Sequence, residues 1–362
     1  MKVINYVEKN AGTNCIPAYY KHFYPKDKIL FFDIETTGFS AKNTTLYLIG
    51  ALWYDENTVC IRQWFNDDGY SEKEIICAFN EFCTTFTHLI HFNGLGFDIP
   101  YLKQKASILS IPFQTDKDLK QIDILKEIRS YKNIFALDNM KQISIEQYLG
   151  IDRKDTYTGK ELIRIYQKYI AKPNTDMENL LLLHNHDDLL GMPQISQILH
   201  YKVFFENTLI KTITADMQEE KFILHFTIPE AIHLSRRLSL TCNGIHLNAI
   251  EQKATLYIPV LKGTLKHYFA DYKNYFYLPL EDTAIHKSIA TYVEAANKIK
   301  ATKQTCYIKK DGDFIPCPDN YDTDVFSNDL SDKQMFQTLE SIQNGDYESQ
   351  KKYIKNTLRA FL

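Results

Sequence analysis

Apolar residues in the first half of the chain fall into strand-like runs and then into helical spacing. Residues 29–33 (ILFFD) form a short apolar run that ends on an acid. Two more runs follow, at 46–54 (LYLIGALWY) and 58–65 (TVCIRQWF), and Asp55-Glu56-Asn57 between them fits a hairpin turn. From 71 to 85 the period lengthens, and Ile75, Ile76, Phe79, Phe82 and Cys83 share one side of a helix. A strand over 87–92 and a helix over Phe97–Leu109 come next. Further helices are predicted over Leu137–Leu149, over Gly159–Ile170 and from about Asp176 onward. Residues 1–27 read as an irregular lead-in. Strands followed by alternating helix and strand place residues 28–205 in the α/β class, as a mixed sheet flanked by helices.

The texture changes near 203–210. Short alternating runs such as LIKTITA and KFILHFTI, joined by a polar turn at Met217–Glu220, predict a mostly antiparallel β-domain over 206–362, α+β in detail. A helix is expected over 283–300, a hairpin turn at Asp311-Gly312-Asp313 and a polar loop from Asp319 to Asp332. Ser331 with Gln334 has the spacing of a capping box that opens a last helical segment.

Composition narrows the class. A chain of 362 residues, 44% hydrophobic and 24% charged, can bury full cores in two domains. No apolar run reaches the roughly 18 residues of a membrane span, and the N-terminus lacks a stretch of signal-peptide length, so retention in the cytoplasm is the expectation. The net charge of −3 is spread evenly over both halves, which excludes a basic domain that grips duplex DNA without preference. The seven cysteines (15, 60, 77, 83, 242, 306 and 317) are scattered and include no C-x-x-C pair, so reduced thiols are expected rather than zinc ligands or disulfides.

Three acidic segments carry the candidate chemistry. In Asp33-Ile34-Glu35-Thr36-Thr37-Gly38, residues two apart on a strand point the same way, so two carboxylates leave one face. Side by side they repel, and a divalent cation with oxygen ligands relieves that. In His91-Phe92-Asn93-Gly94-Leu95-Gly96-Phe97-Asp98, a strand ends, a glycine-containing loop follows, and Asp98 opens a helix, where an acid is also favoured by the helix dipole. In His184-Asn185-His186-Asp187-Asp188, Leu181, Asp188, Met192, Ile195 and Leu199 share a helix face with His184 at its edge. An acid centred in an apolar stripe needs a partner. His186 and Asp187 lie off that stripe and read as a solvated polar face with a satisfied histidine. Pro193 predicts a kink or break just beyond the site.

Together these segments resemble the three exonuclease motifs of the DEDD superfamily, which includes polymerase proofreading domains and ribonuclease H-like exonucleases. The segments YLIGALWY, HFNGLGFDIPYL and HNHDDLLGM also resemble the predicted bacterial nucleases of the ribonuclease H-like type. The likeness covers roughly 28–205. One departure stands out: members carry either Tyr four residues before the last Asp or His five before it, and this chain has His184 in the Tyr position. The resemblance implies a 3′–5′ exonuclease acting on single-stranded DNA or RNA, with two ions of Mg²⁺ or Mn²⁺ held by Asp33, Glu35, Asp98 and Asp188. It implies further that His184 positions or deprotonates the attacking water. Asn93, Thr36 and Thr37 would hold the terminal nucleotide, and Phe39 would stack on its base. Arg153 and Lys154, before the helix opened by Tyr157–Glu161, read as a solvated loop, with phosphate contact as the alternative.

Two rival readings stay open: a weakly active or inactive module that binds nucleic-acid ends, and an endonuclease. The second half offers no catalytic constellation. Its Tyr275–Pro279 and Ile285–Ser288 segments read as core aromatics with a solvated rim, and Lys351, Lys352, Lys355 and Arg359 as an exposed helix face.

Overall fold

The computed structural model describes residues 1–9, 17–25, 28–55, 58–113, 119–152, 157–206, 209–318 and 324–362. The Glu56-Asn57 part of the expected hairpin turn, Arg153 and Lys154, Cys15, and residues 319–323 of the expected loop lie outside these. The chain divides into two compact units, Met1–Lys202 with Ala231–Ser235, and Val203–Glu230 with Arg236–Leu362. No described helix is long and apolar enough to cross a membrane.

The first unit is built on a six-stranded sheet in the order β1-β4-β3-β2-β5-β6. Its strands are β1 (Lys2–Lys9), β2 (Ile29–Thr36), β3 (Leu46–Asp55), β4 (Thr58–Phe65), β5 (His88–His91) and β6 (Lys120–Asp123). Strands β2, β3 and β4 form an antiparallel meander, and β5 and β6 continue the sheet in parallel with β2. Strand β2 is central, and its apolar run is what a strand covered on both faces requires. Leu30, Phe32 and Ile34 point to one side. There they meet Trp64 and the apolar face of α2 (Glu72–Cys83), with Ile99 and Leu102 from α3 (Asp98–Ile108). The opposite side carries Tyr47 and Phe65 against α6 (Gly159–Ala171) and α7 (Thr175–Ile195). Asp33 and Glu35 alternate with the first set and so face this second layer.

Two expectations for this unit need correction, one further strand and helix were not expected, and the break expected at Pro193 is present. Among its described residues the lead-in is not irregular: β1 pairs along its whole length with β4, and α1 spans Ala18–Phe23. The β6 strand gives little apolar signal, because Lys-Gln-Ile-Asp is short and polar, and it leads into the five-residue helix α4 (Ile124–Ile128), with Ile124, Leu125 and Ile128 buried. The helix expected from Leu137 begins only at Gln142 (α5, Gln142–Leu149) and ends on Gly150 at φ +74°. Helix α7 runs two residues past Pro193 and tightens into a 3₁₀ turn at Ser196–Ile198 before α8 (Leu199–Glu206), so proline costs a bond only in the last turn.

The second unit holds a five-stranded sheet ordered β7-β8-β11-β10-β9 and two three-stranded sheets, β12-β16-β17 and β14-β13-β15. Their strands are β7 (Thr212–Gln218), β8 (Lys221–Thr227), β9 (Leu234–Cys242), β10 (Ile245–Glu251), β11 (Lys253–Pro259), β12 (Leu261–Tyr268), β13 (Tyr275–Leu278), β14 (Thr283–His286), β15 (Ile299–Lys300), β16 (Tyr307–Pro316) and β17 (Phe336–Thr338). The helix expected over 283–300 is instead β14, a four-residue α9 (Lys287–Ala290) and β15, because Ala284 and Thr283 pair with β13. Asp311-Gly312-Asp313 is no turn. Strand β16 passes straight through it, with Gly312 opposite Gly263. Ser331 opens no helix; β17 follows it, and the last helices are α10 (Glu340–Gln343) and α11 (Tyr347–Arg359), the latter capped by Asp346 accepting the Ser349 N–H at 2.8 Å.

Phe79 is fully buried, with its ring 5.3 Å from Phe32 and 5.9 Å from Trp64. Phe79→Ala is expected to cost the first unit about 3–5 kcal/mol, read as an earlier first transition in urea denaturation.

Candidate active site

Strand β2 delivers Asp33 and Glu35 two residues apart, and its pairing with β3 slips between Glu35 and Thr36. The chain then leaves the sheet in a turn that its own side chains shape. The Thr36 hydroxyl donates to the Gly38 carbonyl at 2.8 Å, and the Thr37 hydroxyl accepts the Thr45 N–H at 2.8 Å. Buried Lys105 anchors the far side of this turn, donating to the Thr44 carbonyl at 2.6 Å and pairing with Glu72 at 2.8 Å. Phe39, at its tip, is 91% exposed and touches only the edge of Phe97 among described rings.

The second segment follows β5. Asn93 sits at φ +61°, a conformation asparagine tolerates, and three successive N–H groups turn inward. Those of Asn93 and Leu95 go to the two oxygens of Asp123 at 2.9 and 3.0 Å, and that of Gly94 goes to His91 Nδ1 at 3.1 Å. His91 is buried, and burial holds its pKa below the usual imidazole value, so Nδ1 acts as an acceptor. This clamp sets the start of α3 and with it Asp98, which is buried and accepts the backbone N–H of Ile34 beside Asp33.

The third segment lies on α7, whose N-terminus is capped by Asn174. His184 Nε2 lies 3.5 Å from Glu35 Oε1 and 3.5 Å from Asp188 Oδ2. These three residues offer ligand atoms that all fall within 4.8 Å of one another. Asn185, fully buried, donates to Asp33 Oδ2 at 2.9 Å, and the Tyr47 hydroxyl donates to Glu35 Oε2 at 3.2 Å. Asp187 is buried, not solvated as expected. It lies 3.8 Å from His186, whose ring meets Tyr6 of β1 edge-on.

Electrostatics show what the arrangement lacks. Burial, then Glu35, Asp188 and Asp98, push the Asp33 carboxyl well above the usual range. Burial, with Glu35 and Asp123 adding to it, raises Asp98 to about 7 against two backbone N–H bonds. Carboxylates are therefore crowded at this end of the strand, with the His184 imidazole beside two of them. Hard carboxylate oxygens with one imidazole suit a divalent ion such as Mg²⁺ or Mn²⁺, so the donor set fits the ions expected from the sequence.

The five expected catalytic residues thus meet at one end of β2. Thr36, Thr37, Phe39 and Asn93 lie on the two loops beside them. Sequence reading missed Asn185, Gln63, Tyr47, Asp123 and His91; Asn185 sat inside the recognised motif, but only tertiary contact reveals its partner.

Residues 30–200 match the model of the RNase H superfamily, which agrees with the mixed sheet and its flanking helices. Among solved structures, the chain is similar to the family B DNA polymerase of the hyperthermophilic archaeon Pyrobaculum calidifontis, at 12% identity and a TM-score of 0.41, covering 69% of this chain and 35% of that one. It is also similar to E. coli Exonuclease I in complex with a dT13 oligonucleotide, at 15% identity and a TM-score of 0.29, covering 44% of each. The chain therefore spans less than half the length of either. No curated protein matches the sequence significantly.

A carboxyl whose pKa is higher in the fold than in the unfolded chain stabilises the fold while protonated. For Asp98 that contribution is full below about pH 4 and is lost as pH rises through about 7. In EDTA, Asp98→Asn is expected to gain melting temperature relative to wild type between pH 5 and pH 8, measured by differential scanning fluorimetry. An unchanged difference across that range would contradict the burial of this charge.

Proposed function

We propose that this protein is a divalent-metal-dependent 3′–5′ exonuclease that hydrolyses phosphodiester bonds of single-stranded DNA or RNA. The observation that carries this reading is the convergence of Asp33, Glu35, Asp98 and Asp188, from three separate segments, around His184. The RNase H superfamily match over residues 30–200 supports a nuclease-type function for the same residues. Residues 28–205 are the proposed catalytic domain, and the β-rich remainder has no assigned role.

Asp33, Glu35, Asp98 and Asp188 would hold two ions. When bound, these would offset the charge of the phosphodiester, acidify a water and stabilise the leaving oxygen. Tyr47 occupies Glu35 Oε2 and leaves Oε1 on the side of His184. Between two carboxylates, His184 is placed to orient the attacking water or take its proton. Phe39 offers an exposed ring for the terminal base to stack on. The Thr36–Thr37 turn and Asn93 flank the place where that nucleotide would lie.

Incubation with 5′-labelled single strands and Mn²⁺ is expected to give a ladder shortened from the 3′ end, absent in EDTA. Asp33→Ala should lower the rate by roughly 10²-fold or more while leaving circular dichroism unchanged. Cleavage of a circular single strand would replace the exonuclease with an endonuclease, and wild-type rates in the mutant would refute the site. His184→Ala is expected to cost about 10²–10⁴-fold in kcat. His184→Tyr should recover part of it, since tyrosine also offers a hydroxyl to water.

A further inference from the structure

One row of residues crosses the middle of the sheet beneath α7. Asp33 on β2 lies opposite Gly50 on β3, which lies opposite Gln63 on β4. Asn185 descends from the helix onto Gly50 and reaches both ends of the row. Its Nδ2 donates to Asp33 Oδ2 at 2.9 Å, and its Oδ1 accepts from Gln63 Nε2 at 2.9 Å. Gln63 Nε2 also donates to the backbone carbonyl of Leu182 at 2.9 Å. Gln63 and Asn185 are both fully buried.

The polarity of this chain of bonds is fixed at its start. A backbone carbonyl only accepts, so the amide nitrogen of Gln63 must face Leu182. The same nitrogen then donates to Asn185, which must present its oxygen there and its NH₂ group to Asp33. Reversing either amide would set two acceptors against each other in the interior. Asn185 is thus a committed donor to one oxygen of Asp33, and the other oxygen is left for the open side of the site. The space for this is specific. A Cβ at residue 50 would lie 2.0 Å from Asn185 Oδ1 and 2.7 Å from Leu189 Cδ1, so only glycine admits the amide.

We infer that Asn185 is a positioning residue for the proposed cation site: the Gln63–Asn185 relay orients the Asp33 carboxylate, and Gly50 makes room for it. The inference rests on the metal-dependent reading above. It assigns to Asn185 and Gly50 a role that neither residue's own chemistry would suggest.

The test is Mn²⁺ affinity without substrate, by electron paramagnetic resonance of free Mn²⁺, for wild type, Asn185→Ala, Gly50→Ala and Leu181→Ala. Leu181 is buried on the same helix but outside the relay, so it reports simple loss of packing. Asn185→Ala and Gly50→Ala are expected to weaken binding about 10–100-fold, and Leu181→Ala to leave it within about twofold while lowering the melting temperature. If Gly50→Ala does not fold, Asn185→Ala decides alone. Wild-type affinity in Asn185→Ala, or an equal loss in Leu181→Ala, overturns the inference while leaving the metal site intact. Absence of Mn²⁺ binding by the wild type overturns the metal-dependent reading, and the inference with it.

Discussion

The fold is organised around a repulsion between carboxylates. Four of them are carried to one end of a buried strand, where Glu35, Asp188 and Asp98 raise the cost of ionising Asp33, and Glu35 that of ionising Asp98. Holding them there takes support from every side. Buried amides and a tyrosine orient the oxygens of Asp33 and Glu35, a clamp of three N–H bonds fixes the loop before Asp98, and α7 is locked to the sheet through a glycine. Carboxylate oxygens held together in this way suit a divalent cation. That is the physical reason for assigning a cation to the site.

The support is rigid where the acids are and open where a substrate would enter. Asp33 and Glu35 ride on the central strand, and Asp188 rides on a long helix packed across it. Phe39 and Asn93 lie on loops whose backbones are nonetheless tied down, by the Thr36, Thr44 and Lys105 contacts on one side and by Asp123 on the other. The acids are thus placed on regular elements and the flanking loops are braced by their own side-chain contacts.

Much of this was legible in the sequence because it depends on short-range periodicity. The alternation in Phe32-Asp33-Ile34-Glu35 and the apolar stripe around Asp188 each place a carboxylate without knowledge of the partner. What stayed hidden depends on contacts distant in sequence. Strand β1 carries too little apolar alternation to announce itself, with Val3 and Val7 exposed. Lys120–Asp123 is a short edge strand, and its one buried residue, Asp123, serves the loop of Asn93. Gly50 reads as a weak point in a strand until Asn185 is seen above it. In the second unit Asp-Gly-Asp is a turn signal that pairing with β12 overrides, and the helix expected over 283–300 gives way to pairing with β13.

The most direct test of the central claim is a crystal of the protein soaked in Mn²⁺ and measured at the manganese absorption edge. The account predicts anomalous density within coordination distance of Asp33, Glu35 and Asp188, with further density toward Asp98. A well-ordered site with those carboxylates in place and no anomalous density among them would contradict it.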